Sequence, residues 1–239
     1  MERVNNEKLM TDHDCSTMDT DKMCVSIVPI FNHLEPGQMD EVMQTVQSTS
    51  YKKGELIFHE GDPSDTLYIV NTGKVKIYRL SEAGKEHLVS LMNPGDFTGE
   101  YALFNESTHT SYAEAMVDTK ICKINREDLH AFLSKYPTIS LKMLTEFSQR
   151  LDRSEKQTTH FATEKVETRI ALFLAELANN EPDSETLELP MTRADLASYL
   201  GTTPETISRR LSVLEDQGFI QQITNKKIKI VDLDGLLLI

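Results

Sequence analysis

Four glycine-led dipeptides punctuate the segment from Lys52 to Phe104: Gly61-Asp62, Gly73-Lys74, Gly84-Lys85 and Gly95-Asp96. Turn signals this frequent leave room for short strands rather than long helices. The runs between them, such as "TLYIVN", "KVKIYRL" and "HLVSLM", are rich in β-branched and aromatic residues. Short strands at about ten-residue spacing predict a sandwich or barrel. The strand texture continues from Thr110 to Ile124 in "TSYAEAMVDTKICKI".

Helical patterns flank this region. "VSIVPIFNHLEPGQMDEVMQTV" reads as helical, with Pro36 and Gly37 at a helix start and Met39, Val42, Met43 and Val46 at helical spacing. "REDLHAFLSKYP" reads as a short amphipathic helix stopped by Pro137. After it, the chain runs for some forty residues without Pro or Gly. That predicts one long helix with a bend or break near Ala162–Glu164. Leu144, Phe147 and Leu151 form a narrow stripe on it, the width of a coiled-coil seam rather than of a core face. They are the candidate dimer seam, and a helix lying along its own domain is the alternative. Asn179 to Pro190, "NNEPDSETLELP", reads as a polar loop.

Composition narrows the function classes. The 239-residue chain has a formal net charge of −13. That argues against a protein that coats nucleic acid non-specifically, yet leaves room for a sequence-specific binder with a local basic surface. No apolar run reaches bilayer-spanning length, and the N-terminus lacks the apolar core of a secretory signal. A cytoplasmic location without membrane association is expected. Three cysteines do not make a disulfide scaffold. No metal motif and no nucleophile elbow is present, so an enzyme is not expected.

The most informative stretch is "MTRADLASYLGTTPETISRRLSVLEDQG", Met191 to Gly218. Thr192 is placed as an N-cap, with Asp195 in the capping-box position. Leu196, Tyr199 and Leu200 form an apolar face, and Gly201 ends the helix. Thr203 caps a second helix with Pro204 at its first position. Helix, tight glycine turn and helix make a helix-turn-helix. On the second helix, Ile207, Leu211 and Leu214 point to the core, while Glu205, Ser208 and Arg209 share the opposite face near its start. A recognition helix presents that part to the major groove. Arginine can grip guanine O6 and N7, glutamate can accept from the cytosine amine, and serine suits base edges or phosphate. Thr203, Arg210, Lys226 and Lys227 are candidates for the DNA backbone. "FIQQITNKKIKIVDL" reads as two short strands around Asn225-Lys226, a wing made basic by Lys226, Lys227 and Lys229.

The order of β-roll, long helix and winged helix-turn-helix resembles the CRP/FNR family of bacterial transcription regulators, from Val25 to the C-terminus. The expected fold is α+β. A flexible arm (1–24) precedes a cyclic-nucleotide-binding-like jelly roll as the sensory domain (25–136). A dimerisation helix (137–162) and a DNA-binding winged helix-turn-helix (163–239) follow. "DLASYLGTTPETISRRLSVLE" and "CVSIVPIFNHL" are similar to the FNR-like protein (FLP) branch. Glu205-x-x-Ser208-Arg209 resembles the FNR pattern, whose members read a TTGAT–N4–ATCAA type palindrome as dimers. The resemblance implies that Glu205 and Arg209 read G·C pairs and Ser208 a thymine, and that double-stranded DNA, a second copy and RNA polymerase are the partners. An activator is the working reading, with repression as the open alternative.

Two signals compete. Gly99-Glu100 fits the pair that holds the ribose in the cyclic-AMP branch, but His109 and Thr110 stand where that branch has Arg-Ser. A largely neutral histidine is a weak partner for a phosphate, so cyclic AMP is not the expected effector. The cysteines are the other candidate. In oxygen-sensing FNR proteins, arm cysteines and one from the β-roll hold an iron–sulfur cluster. Cys122 resembles the roll cysteine, and Cys15 and Cys24 resemble the outer pair of the arm. Met18 stands at the inner ligand position, with Asp14, Asp19 and Asp21 as nearby carboxylates. The readings are ordered as a thiol–disulfide switch, then a cluster on Cys15, Cys24 and Cys122, then inert thiols. Zinc on His13, Cys15 and Cys24 has no CxxC pair to support it. A CRP-like regulator with a small-molecule effector in the β-roll and inert cysteines is the alternative.

Overall fold

The structure is a computed structural model that describes residues 25–101, 105, 107–180 and 186–239. The arm, with Cys15 and Cys24, lies outside the described residues. The chain divides into two compact units. One holds the described residues up to Val75, with Met92–His109 and Glu114–Met143; the other holds Lys76–Leu91, Thr110–Ala113 and Leu144–Ile239.

The first described segment differs from its sequence reading. Residues 27–34 form consecutive turns rather than a regular helix, tied by bonds such as Asn32 N–H to the Val28 carbonyl at 2.9 Å. Pro29 supplies no N–H there, which interrupts helical bonding. The turns are nevertheless firmly packed, since Val25, Val28, Ile30 and Phe31 have no solvent exposure. Helix α1 (Pro36–Met43) begins where Pro36 was expected to start one, and the Gln38 side chain accepts from the Glu35 N–H at 3.0 Å.

Ten strands follow: β1 (Gln47–Tyr51), β2 (Leu56–Phe58), β3 (Pro63–Ser64), β4 (Thr66–Thr72), β5 (Val75–Leu80), β6 (Glu86–Met92), β7 (Phe97–Thr98), β8 (Ser107–Thr108), β9 (Tyr112–Ala115) and β10 (Thr119–Asn125). They form sheets of order β1-β10-β4-β7 and β2-β9-β5-β6, with β3 paired to β8. β10 is central to the first sheet. Its Cys122 lies opposite Ser48 of β1 and Ile69 of β4. A register shift at Lys120–Ile121 breaks the alternation of the pleat, and two successive residues, Ile121 and Cys122, are buried just beyond it. At Gly99 φ is +90°, and a Cβ would collide with the Thr66 carbonyl oxygen. Backbone geometry alone therefore demands glycine in Gly99-Glu100, whatever the ligand.

Helix α2 (Arg126–Lys135) is capped by Asn125, whose side chain accepts from the Asp128 N–H at 2.8 Å. Helix α3 (Pro137–Thr163) buries Ile139 and Met143 near its start. Further along, Leu144 and Leu151 are 63% and 60% exposed. The helix ends at Thr163 and α4 (Val166–Asn180) begins three residues later, at the expected break.

The C-terminal elements are α5 (Arg193–Tyr199), α6 (Pro204–Asp216) and α7 (Leu233–Leu236), with a sheet of order β11-β13-β12. Its strands are β11 (Leu187–Glu188), β12 (Ile220–Gln222) and β13 (Lys227–Ile230). The apolar stripe of α4 (Ile170, Ala171, Leu174) and the inner face of α6 (Ile207, Leu211, Leu214) are buried at 1% exposure or less. β11 lies in the stretch read as polar loop. Leu187 and Leu189 are its buried anchors, and Leu187 pairs with Ile228. Two apolar residues among acids and a proline give no strand period, so only the partner strand creates this strand.

Candidate nucleic-acid interface

The turn between α5 and α6 is built by local chemistry. The Thr192 hydroxyl accepts from the Asp195 N–H at 3.1 Å, and the Asp195 carboxylate accepts from the Thr192 N–H at 3.3 Å. Gly201 takes φ +65°, the left-handed conformation that ends α5. Thr203 caps α6 by accepting from the Thr206 N–H at 3.3 Å, and Pro204 follows at the position where no N–H is needed.

With Ile207, Leu211 and Leu214 buried, Glu205 and Arg209 stand exposed and Ser208 is half-buried. The Arg209 guanidinium has no hydrogen bond or ion pair among the described residues, and the same holds for the ammonium groups of Lys226 and Lys227. The Glu205 carboxyl is held below its ordinary range, first by its own backbone N–H and then by the Thr203 hydroxyl. It stays an anion and a pure acceptor, as contact with a cytosine amine requires. Arg210 is committed: its Nη1 lies 3.3 Å from Glu167 Oε2 of α4. Reaching a phosphate would mean giving up that half-buried pair.

Three residues that sequence reasoning passed over join this surface. Arg193 Nη2 donates to Gln222 Oε1 at 2.8 Å, and its Nε donates to the Asn225 carbonyl at 3.2 Å. The Glu215 carboxylate accepts from Gln222 N at 2.7 Å and Nε2 at 2.8 Å. This chain ties β12 and the wing turn to both helices. One sequence signal was available. An arginine in the first turn of a helix opposes the helix dipole, so its charge is spent on something else.

In the other unit, Cys122 has no solvent exposure. It is disulfide-bonded. Among the described residues no group of three His, Cys, Asp or Glu side chains is placed to hold a metal ion. His109 is 8% exposed and stacks on Phe58, with ring centroids 3.7 Å apart and planes at 10°. Burial lowers its pKa, with Asp62 and Asp65 pulling the other way. Beside it, Tyr68 is pushed up to about 12, mainly by burial. A neutral ring packed against an aromatic offers no fixed cation for a nucleotide phosphate. The Thr110 hydroxyl accepts from Arg79 Nη2 at 3.2 Å.

The fold and this surface define a winged helix-turn-helix joined to a β-roll, and comparison with known proteins agrees. The model described as "Cyclic nucleotide-binding domain" matches residues 48–136, and "Crp-like helix-turn-helix domain" matches residues 168–239. The "Probable transcriptional regulator flp" of Lacticaseibacillus casei is 30% identical over 89% of this chain and 96% of its own. The "CRP-like cAMP-activated global transcriptional regulator" of Mycobacterium tuberculosis is 29% identical over 87% and 94%. The solved structure of FixK2 from Bradyrhizobium japonicum superposes with a TM-score of 0.71 at 29% identity, covering 80% of this chain and 95% of that one. The chain belongs to the CRP/FNR family of DNA-binding transcription regulators and is not an enzyme. Among the described residues no helix is long and apolar enough to cross a membrane.

Proposed function

We propose that this regulator acts in the cytoplasm as a homodimer whose DNA affinity follows the redox state of Cys122 and a thiol of the N-terminal arm. The disulfide at Cys122 is the observation that carries the reading. A sulfur in a disulfide is not available as a cluster thiolate, so the bond favours a thiol–disulfide switch over an iron–sulfur cluster. The relative named flp supports the same branch. On oxidation, two thiols lose two hydrogens to an external oxidant and one S–S bond forms. The arm is then tied to β10, an interior strand of its sheet.

Dimerisation runs along α3, where Leu144, Phe147 and Leu151 supply the apolar seam. The exposure of Leu144 and Leu151 supports this, because a lone helix would place them in water. The signal shifts the population between two packings of the paired helices and so sets the spacing of the two recognition helices. Glu205 and Arg209 read G·C pairs and Ser208 a thymine in an FNR-type palindrome. Thr203, Lys226 and Lys227 contact the backbone, and Arg210 joins them if it releases Glu167. RNA polymerase is the downstream partner, with activation as the outcome.

A second reading keeps the cysteines inert and places a small effector in the β-roll. It is favoured by buried polar atoms there that lack hydrogen-bond partners among the described residues, including Ser64 Oγ, Ser107 Oγ and His109 Nε2. Titrating a palindromic duplex with oxidised and with thiol-reduced protein separates the two. A redox-dependent affinity that vanishes in Cys122→Ala supports the switch. Equal affinities in both states overturn it in favour of the effector. Arg209→Ala should cost about 1–3 kcal/mol and relax one base preference; unchanged binding would remove Arg209 from the readout.

A further inference from the structure

The Arg193 guanidinium is clamped by the wing through the Asn225 carbonyl and Gln222 Oε1, and its remaining Nη1 reaches Ser208 Oγ at 3.5 Å. A guanidinium has only donors. That contact is long, but its direction is fixed: Arg193 donates and Ser208 accepts. A helical serine or threonine often commits its hydroxyl proton to the carbonyl four residues back. Ser212 does so toward the Ser208 carbonyl at 3.2 Å, and Thr158, Thr159 and Thr163 follow the same pattern on α3. Ser208 makes no such bond to Pro204. One of its lone pairs faces Arg193, and its proton has no acceptor among the described residues.

We propose that Arg193 is a specificity-determining positioning residue: by occupying one of the two lone pairs of the amphoteric Ser208 hydroxyl, it biases that hydroxyl toward donation. The inference rests on α6 being the recognition helix with Ser208 at a base edge. In the major groove a donor is satisfied by thymine O4, guanine O6 and N7, or adenine N7, and it is opposed by the amine of cytosine. Exchanging thymine for cytosine replaces an acceptor with a donor at nearly the same place. Arg193 thereby makes Ser208 favour the first over the second. Because Gln222 Oε1 and the Asn225 carbonyl hold the guanidinium, and Glu215 fixes Gln222, this choice is coupled to the seating of the wing. Without Arg193, the hydroxyl can rotate to offer either a proton or a lone pair, or bond back to its own helix, and the discrimination fades.

The test uses the full-length protein and a palindromic duplex in which each half-site base pair is changed in turn, with affinity read by fluorescence anisotropy. The pair whose preference disappears in Ser208→Ala is the one Ser208 reads. There, thymine to cytosine should weaken binding of the parent about five- to tenfold, the worth of one hydrogen bond and its penalty when opposed. Arg193→Lys keeps the charge but cannot hold three acceptors in one plane. It should cut that ratio to about twofold or less and leave the preference at the Arg209 pair intact. Adding Ser208→Ala to Arg193→Lys should change the ratio no further, the mark of coupled residues. Gln222→Leu, which frees one edge of the guanidinium, should give an intermediate ratio. A uniform loss of affinity in Arg193→Lys with the thymine preference intact would reduce Arg193 to a wing tether and overturn the inference. A parent protein without preference at any pair would overturn the recognition-helix reading and the inference together.

Discussion

Cys122→Ala tests the redox reading through stability, and its size follows from where the residue sits. Cys122 has no exposure and lies in β10 between β1 and β4, so it belongs to the most tightly paired strand of its sheet. A bond from Cys122 to Cys24 would close a loop of 98 residues (122 − 24), and one to Cys15 a loop of 107 (122 − 15). Cross-linking a loop of roughly 100 residues lowers unfolded-state entropy by the equivalent of about 4–5 kcal/mol, and native disulfides commonly deliver about 2–4. The substitution by itself loses one buried sulfur, a group of about methylene size, worth about 1 kcal/mol with its small cavity. In urea titrations followed by circular dichroism, oxidised protein should therefore exceed thiol-reduced protein by about 2–4 kcal/mol. Reduced Cys122→Ala should lie about 1 kcal/mol below reduced parent and show no response to reductant. Cys15→Ser and Cys24→Ser, made singly, identify the partner, since only one of them should abolish the response. Superimposable oxidised and reduced curves, or a reductant effect that survives Cys122→Ala, would refute the reasoning.

Other expectations follow from the described surfaces. Leu144→Glu combined with Leu151→Glu places charges in the proposed seam. Sedimentation should show a monomer that still folds but loses palindrome affinity, and a persistent dimer would move the seam elsewhere. The depressed pKa of His109 makes its neutral ring part of the fold. The unfolded chain takes up the proton first, so this contribution is intact above about pH 6.5 and is lost as pH falls below it. His109→Gln should flatten the decline of melting temperature below that pH, with a remainder from His33, whose pKa burial and Lys142 also lower. An unchanged pH profile in His109→Gln would contradict the burial argument. Thr203→Ala removes the cap of α6 and should cost about 1 kcal/mol of stability, read by urea midpoint.

Much of this protein was written in local chemistry. The turn dipeptides marked out the short strands because φ > 0 is cheap only for glycine, and Gly73, Gly84 and Gly95 all take it. The boundaries of α5 and α6 were legible because Thr192, Asp195, Gly201 and Thr203 act on atoms within three or four residues of themselves. The faces of α6 were legible because helical spacing alone separates Ile207, Leu211 and Leu214 from Glu205 and Arg209. β11 was missed because two residues carry no period, and its register exists only opposite β13. Over residues 27–34 the helical reading gave way to turns around Pro29, where buried side chains rather than backbone periodicity hold the chain.

The sequence by itself determined the order of modules, the helix-turn-helix and the two faces of its second helix. Each of those depends on propensities and spacings that act along the chain. Tertiary structure alone decided which charges remain free to meet DNA and which are spent inside. Arg209 and Arg210 are neighbours of the same type. Packing of α4 against α6 gives Arg210 to Glu167, while Arg209 keeps its donors. Arg193, 29 positions from Gln222 in sequence, meets it at 2.8 Å only because the wing folds back onto α5. Such pairings join residues that local rules cannot connect, because a hydrogen bond is decided by distance in space and not by separation along the chain.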